Sequence, residues 1–222
     1  LEAMGWQNIE LAQPMRTDSI FQIRSMSKPI TALAVLQLVD EGKLALSDPV
    51  SRYIPSFKTL TVYVDPEQPE SSATRKPNRE PTIEDLLLNT GGLSHRFSAL
   101  YRNNAVRSRA DTLAVLSDKV AAIPLIDDPG EQWVYSISIT VLGRVVEVVS
   151  GQPFDEYLRK GVFDPLEMPD TGFYVPPLKQ DRLARAYRIP DGSSGLTPLP
   201  AMDVPITENP PLKEGAAGMV ST

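Results

Sequence analysis

The spacing of apolar residues along the chain changes several times, and each change marks an element. In Asp18-Ser-Ile-Phe-Gln-Ile-Arg24, Ile20 sits among polar neighbours while Phe21 and Ile23 fall on the other face, which predicts a short extended segment ending at Ser25. From Met26 to Glu41, Ile30, Leu33, Ala34, Val35, Leu36, Leu38 and Val39 cover nearly every side, predicting a buried helix. Pro29 is tolerated in its first turn and Gly42 stops it. Asp48-Pro49 and Ile54-Pro55 punctuate a loop and a short helical turn. Residues 64–81 carry Pro66, Pro69, Pro77 and Pro81 amid polar residues and read as an exposed loop or insertion. Thr82-Ile-Glu-Asp85 has the spacing of a capping box, opening a helix that Gly91-Gly92 would end. Further helices are predicted over Arg109–Ala122, Ile139–Ser150, with Gly151 as its stop, and Pro153–Val162. Pro176 to Pro211 holds eight prolines, Pro200 among them, and only Leu183–Ile189 reads as a strand; the rest is ordered loop. No repeat is visible, and no apolar run reaches the ~18 residues of a membrane span.

Composition narrows the chemistry. The 222 residues are 41% hydrophobic and 23% charged, enough to bury a sizeable core and exclude disorder. A net charge of −6, with no run of Lys or Arg, argues against nucleic acid or an anionic membrane as partner. With no Cys there is no disulfide, thiolate nucleophile or Cys-bound zinc, and the single His95 leaves too few ligands for a typical zinc site and no His-based triad. Catalysis would have to come from hydroxyls, amines and carboxylates. No metal or organic cofactor is called for.

Ser25-Met-Ser-Lys28 meets that demand at the start of the apolar helix. A hydroxyl and an amine three residues apart share one helix face. A serine is a poor nucleophile until a nearby base takes its proton, and an amine in apolar surroundings at the positive end of a helix gives up its own more readily. The backbone N–H of Ser25 offers one oxyanion donor. The same four residues also read as a capping serine and a solvated lysine; the continuously apolar helix favours the first reading. Tyr135, in Pro129-Gly-Glu-Gln-Trp-Val-Tyr-Ser136, stands just before a helix start and could relay a proton, or be an ordinary half-buried tyrosine. Trp133, Tyr101 and Phe97 are candidates for an apolar acyl pocket or for core and rim packing. His95 reads as structural or surface, and Asp127-Asp128 as a solvated turn.

Together the S-x-x-K and Tyr motifs resemble the serine β-lactamase and penicillin-binding-protein superfamily. The wording is similar to that of its esterases, the family VIII carboxylesterases and their transesterase relatives. The blocks are Phe21–Ala32, Asp40–Pro55, Leu86-Leu-Leu-Asn-Thr-Gly-Gly-Leu93, Trp133–Ser138, Val141–Gly151, Phe163–Phe173 and Gly218-Met-Val-Ser-Thr222, in the family's order over nearly the whole chain. The resemblance implies Ser25 as acyl-accepting nucleophile, Lys28 as general base and Tyr135 as proton shuttle. It also implies an α+β fold, an antiparallel sheet flanked by helices with an inserted all-helical region. On that pattern residues 1–54 begin the α/β region, 55–172 form the helical region with the Tyr motif, and 173–222 return to the α/β region.

Two departures shape the expected substrate and partners. Where class C β-lactamases have Asn two residues after the Tyr, this chain has Ile137; that favours an esterase pocket, lined by Trp133, Ile137 and Tyr101. The family's third motif, K-T-G or a variant, lies downstream of the block that ends at Thr222, so the sheet is expected to be incomplete here, closed by a following segment or a second chain. The first residue is Leu1 and no signal peptide is visible, which fits a part of a longer, cytoplasmic polypeptide. The expected activity is hydrolysis of short-chain or aryl esters through an acyl-enzyme. A β-lactamase or D-Ala-D-Ala carboxypeptidase is the nearest alternative, and a non-catalytic binding relative or inactive fragment the next.

Overall fold

The computed structural model describes residues 1–68, 72–192, 194–199 and 205–222; Pro69 and Pro200 of the predicted loops lie outside them. In chain order the elements are β1 (Trp6–Asn8), β2 (Gln13–Pro14), β3 (Phe21–Gln22), α1 (Ser27–Asp40), β4 (Val62–Tyr63), β5 (Thr74–Arg75), α2 (Ile83–Leu88), α3 (Ala99–Asn103), α4 (Leu113–Ala121), α5 (Ser138–Ser150), α6 (Phe154–Leu158), β6 (Tyr187–Arg188), β7 (Thr197–Pro198) and β8 (Val220–Ser221). The strands pair antiparallel as β1–β2, β3–β8, β4–β5 and β6–β7. The architecture is a mixed one of helices and small antiparallel sheets.

Helix α5 is the centre. Ile139, Val141, Leu142, Val145 and Val146 are all buried, and the helix packs against α1, α2, α4 and α6. Each such side chain contributes about 1.5–3 kcal/mol by leaving water. At Gly143 a Cβ would stand 3.2 Å from both Leu113 and Phe154, so the small residue sets how closely α4 and α6 approach. This core runs continuously from Ala34 to Met219. A second, smaller cluster of Ile20, Val175, Ile206 and Val220 lies at the β3–β8 pair.

That pair joins the two ends of the sequence. Phe21 lies opposite Ser221 and Gln22 opposite Val220, while the Ile23 N–H reaches Met219 O at 3.0 Å. Val220 exchanges two hydrogen bonds with Gly172 on its other side. The nucleophile segment is thereby anchored immediately before α1.

Several expectations need adjustment. Helix α1 is not buried all round: Thr31, Ala34, Val35 and Leu38 face the core, but Met26, Pro29, Leu33 and Leu36 form an exposed row on the opposite side. A helix apolar on both sides can bury only the side that meets α5. The predicted helix over 109–122 begins at Leu113, because the Thr112 hydroxyl caps it by accepting the Val115 N–H. Helix α2 has the full capping box between Thr82 and Asp85, yet ends at Asn89 in a left-handed conformation rather than at the glycines. Of Leu183–Ile189, only Tyr187–Arg188 is a strand; Leu183 makes a single bridge to Ile20.

Candidate active site

A strained turn presents Ser25. Arg24, immediately before it, has φ +51°, in the left-handed region that costs a side-chain-bearing residue about 1–2 kcal/mol. Residues Arg24–Met26 then form one 3-10 turn leading into α1. Ser27 locks this turn from beneath: its hydroxyl donates to Arg24 O at 2.7 Å and accepts the Met219 N–H at 3.2 Å. Ser25 is left exposed at the top.

Lys28 lies one turn further on. Its Nζ is 3.2 Å from Ser25 Oγ and 2.9 Å from Ala216 O, to which it donates. The carbonyl comes from a turn over residues 214–218 seated against α1 and α5. Thr31 Oγ1 donates to Gly215 O at 2.8 Å, and the Ala216 N–H donates to Thr140 Oγ1 at 3.3 Å. A Cβ on Gly215 would stand 2.7 Å from Thr31 Oγ1, so only glycine allows this approach.

Tyr135 completes the group from 110 residues further along the chain. Its hydroxyl donates to Ser25 Oγ at 2.7 Å, and Lys28 Nζ lies 4.4 Å from the ring centroid. Burial works to raise the phenol's pKa, but the contacts with Lys28 and Ser25 and the charges of Lys28 and Arg96 outweigh it and bring it below the usual value of 10.0. Asn89 holds the Tyr135 segment: its backbone carbonyl accepts the Val134 N–H at 3.0 Å, and its Oδ1 accepts the Ser136 N–H and hydroxyl, each at 3.1 Å. The sequence signal for Asn89 was its place before Thr90-Gly91-Gly92, where it reads only as the end of a helix.

Not every proposed pocket residue reaches the site. Ile137 is fully buried in the main core, because the chain at the N-terminus of α5 has already turned helical and points its side chain inward. It therefore does not line a substrate pocket, while the absence of an Asn at this position stands as the sequence shows it. Tyr101 is likewise core: it is 3% exposed and its oxygen accepts the Ser94 N–H at 3.2 Å. Asp128 is not solvated; it is buried, accepts the Asn78 N–H and makes an ion pair with Arg75, tying the β5 region to the Pro129-Gly130 turn. Trp133 does stand beside the site, its ring 6.3 Å from that of Tyr135. His95 stacks on Tyr135 at 5.8 Å and contacts Phe97 at 5.6 Å. Trp133, Tyr135, His95 and Phe97 therefore form one partly exposed aromatic wall next to Ser25.

Comparison with known proteins matches the family model described as Beta-lactamase over residues 1–222. The chain belongs to the beta-lactamase family. Protein Rv1367c of Mycobacterium tuberculosis is 38% identical to this beta-lactamase family chain over 193 residues, covering 84% of it and 47% of the relative. Esterase EstB of Burkholderia gladioli is 36% identical over 181 residues, covering 77% and 43%. Among solved structures, EstCE1, described as a hydrolase with promiscuous acyltransferase activity, superimposes with a TM-score of 0.84 at 28% identity, over 99% of this chain and 60% of that one. The chain thus spans somewhat under half the length of these two curated relatives. The fold is that of the β-lactamases and penicillin-binding proteins, as the resemblance implied.

Proposed function

We propose that this family member is a serine hydrolase that cleaves carboxylic esters of small-molecule substrates through an acyl-enzyme. The observation that carries the reading is the position of Ser25 Oγ, 2.7 Å from Tyr135 OH and 3.2 Å from Lys28 Nζ. In the reaction Ser25 attacks the ester carbonyl. Its proton passes to the Lys28–Tyr135 pair, whose members are in contact across the Tyr135 ring. The shorter distance makes the Tyr135 oxygen the first acceptor, and the Lys28 ammonium beside it favours the phenolate. The pair returns the proton to the leaving alcohol, and water then repeats the sequence on the acyl group. The backbone N–H of Ser25 would supply one oxyanion donor. The aromatic wall supports aryl or flat apolar groups as the bound part, and the names of EstB and EstCE1 support ester chemistry.

The experiment is labelling by a fluorophosphonate probe together with turnover of p-nitrophenyl butyrate. The full protein should label and turn over, and Ser25→Ala should abolish both; labelling that survives Ser25→Ala would overturn the reading. The family's Beta-lactamase description favours a second reading, hydrolysis of β-lactams or D-Ala-D-Ala peptides by the same covalent logic. Faster hydrolysis of nitrocefin than of the butyrate ester would establish it. We also infer that the exposed row on α1 is covered in the whole protein by polypeptide beyond these residues or by a second chain, a reading supported by the greater length of the relatives. An active, monodisperse native monomer of 24.4 kDa by mass spectrometry would sink that idea.

A further inference from the structure

Behind the reacting groups lies a buried carboxylate for which the chemistry above has no use. Glu214 is 1% exposed. Its Oε1 accepts from Arg96 Nη1 at 2.7 Å and from Arg107 Nε at 3.0 Å, and its Oε2 accepts from Arg107 Nη2 at 2.7 Å. Both arginines are largely buried as well, 16% and 15% exposed. Burial pushes the carboxyl's pKa up, but the Arg107 and Arg96 guanidiniums outweigh it and hold it below the ordinary carboxylate range. The residue is therefore an anion locked between two cations.

Two branches lead from it to the site. Along the chain, Glu214 O accepts the N–H groups of Ala217 at 3.2 Å and Gly218 at 2.8 Å, closing the turn whose Ala216 carbonyl takes Lys28 Nζ. Through Arg96 the carboxylate grips the loop of His95 and Phe97: the guanidinium lies 4.4 Å from the Phe97 ring centroid, and His95 stacks on Tyr135. A buried ion pair is weak evidence for stability by itself, since desolvation offsets much of the attraction. Here it joins the two segments that touch Lys28 and Tyr135, residues otherwise held by separate parts of the chain.

We propose that Glu214 is a positioning residue for the reaction: gripped by Arg96 and Arg107, it fixes the Ala216 carbonyl that holds Lys28 at Ser25 and the loop whose His95 backs Tyr135. The proposal rests on the hydrolase reading of the same site. Displacing a reacting group by about 1 Å can cost about 100-fold in rate. Glu214→Gln should accordingly lower kcat on p-nitrophenyl butyrate by about 10- to 100-fold with KM nearly unchanged. It also leaves the Arg96 charge uncompensated near Tyr135, so the rising limb of kcat/KM against pH should move to lower pH, a shift that loosened packing alone does not produce. The groups facing Tyr135 in that argument are Lys28, His95, Arg96 and, through Phe97, Arg107. Arg107→Lys, which keeps the charge but loses the two-pronged grip, should lower kcat without moving the limb.

Should Glu214→Gln fail to fold, Arg107→Lys and Glu214→Asp carry the test with the same measurements. Acetic anhydride labelling with peptide mass spectrometry reads the clamp without turnover: the ratio of Lys28 to Lys160 modification should rise in the variants. Folded variants with wild-type kcat, pH limb and labelling ratio would overturn the clamp. Absence of fluorophosphonate labelling at wild-type Ser25 would instead remove the hydrolase reading, and the lysine ratio would then decide the clamp alone.

Discussion

Ser25 owes its setting to groups both near and far along the chain: Lys28 from the next turn, Tyr135 from 110 positions away and, behind Lys28, the backbone carbonyl of Ala216. The residue scale is where the chemistry is most directly tested. Tyr135→Phe keeps the ring contacts with Trp133 and His95 but deletes the 2.7 Å hydrogen bond to Ser25. Loss of a proton-transfer group of this kind costs about 10²–10⁴ in rate, so kcat should fall within that range with KM little changed. Because the residue is 37% exposed, the melting temperature should hardly move. The same substitution should remove the rising limb of kcat/KM. In the parent that limb belongs below the ordinary phenol value, since the Tyr135 pKa is lowered and activity on this reading grows as the phenol ionises. The contact between Ser25 and Lys28 was legible from their three-residue spacing. Ile137 and Tyr101 were misplaced for a physical reason: a sequence names an apolar side chain but not the direction in which a helix end or a packed loop turns it.

At the scale of elements, α2 does two jobs, and they can be separated. Its N-terminal capping box satisfies backbone groups that helix geometry leaves free, and Thr82→Ala should cost about 0.5–2 kcal/mol of stability, measured by urea denaturation. Activity of the folded variant should be unchanged. Its C-terminal residue Asn89 has φ +59° and carries an acceptor for Ser136. Asn89→Gly keeps that backbone conformation available while removing the acceptor, leaving buried Ser136 short of a partner at a cost of about 1–3 kcal/mol. Because Ser136 adjoins Tyr135, kcat should fall with it. A stability loss with undiminished kcat would mean that Asn89 supports the fold alone. The capping box could be read in the chain because Thr82 and Asp85 act on their own neighbourhood. The role of Asn89 could not, since its partners lie 45–47 positions away.

For the molecule as a whole, carboxylates paired with arginine set the response to acid. Burial opposes ionisation of Glu214 and Asp85, but their arginine partners, with the Thr82 contacts at Asp85, hold both pKa values below 4.5 and 3.8; hydrogen bonds led by Arg182 do the same for Asp170. A carboxyl whose folded pKa is depressed stabilises the fold at pH above its unfolded value and loses that contribution as pH falls through the folded one. Thermal melts should therefore show a melting temperature that declines once pH drops below about 4.5, and Glu214→Gln should make the decline shallower. The amino-acid sequence alone determined the helix α5, the capped start of α2, the Ser25–Lys28 pair and the family, because each depends on residues a few positions apart or on blocks in fixed order. Only the tertiary structure decided which side of α1 is covered, that Tyr135 closes on Ser25, and that Glu214 stands between Arg96 and Arg107. Those outcomes depend on how segments more than a hundred residues apart share one core, and no local pattern of residues encodes that packing.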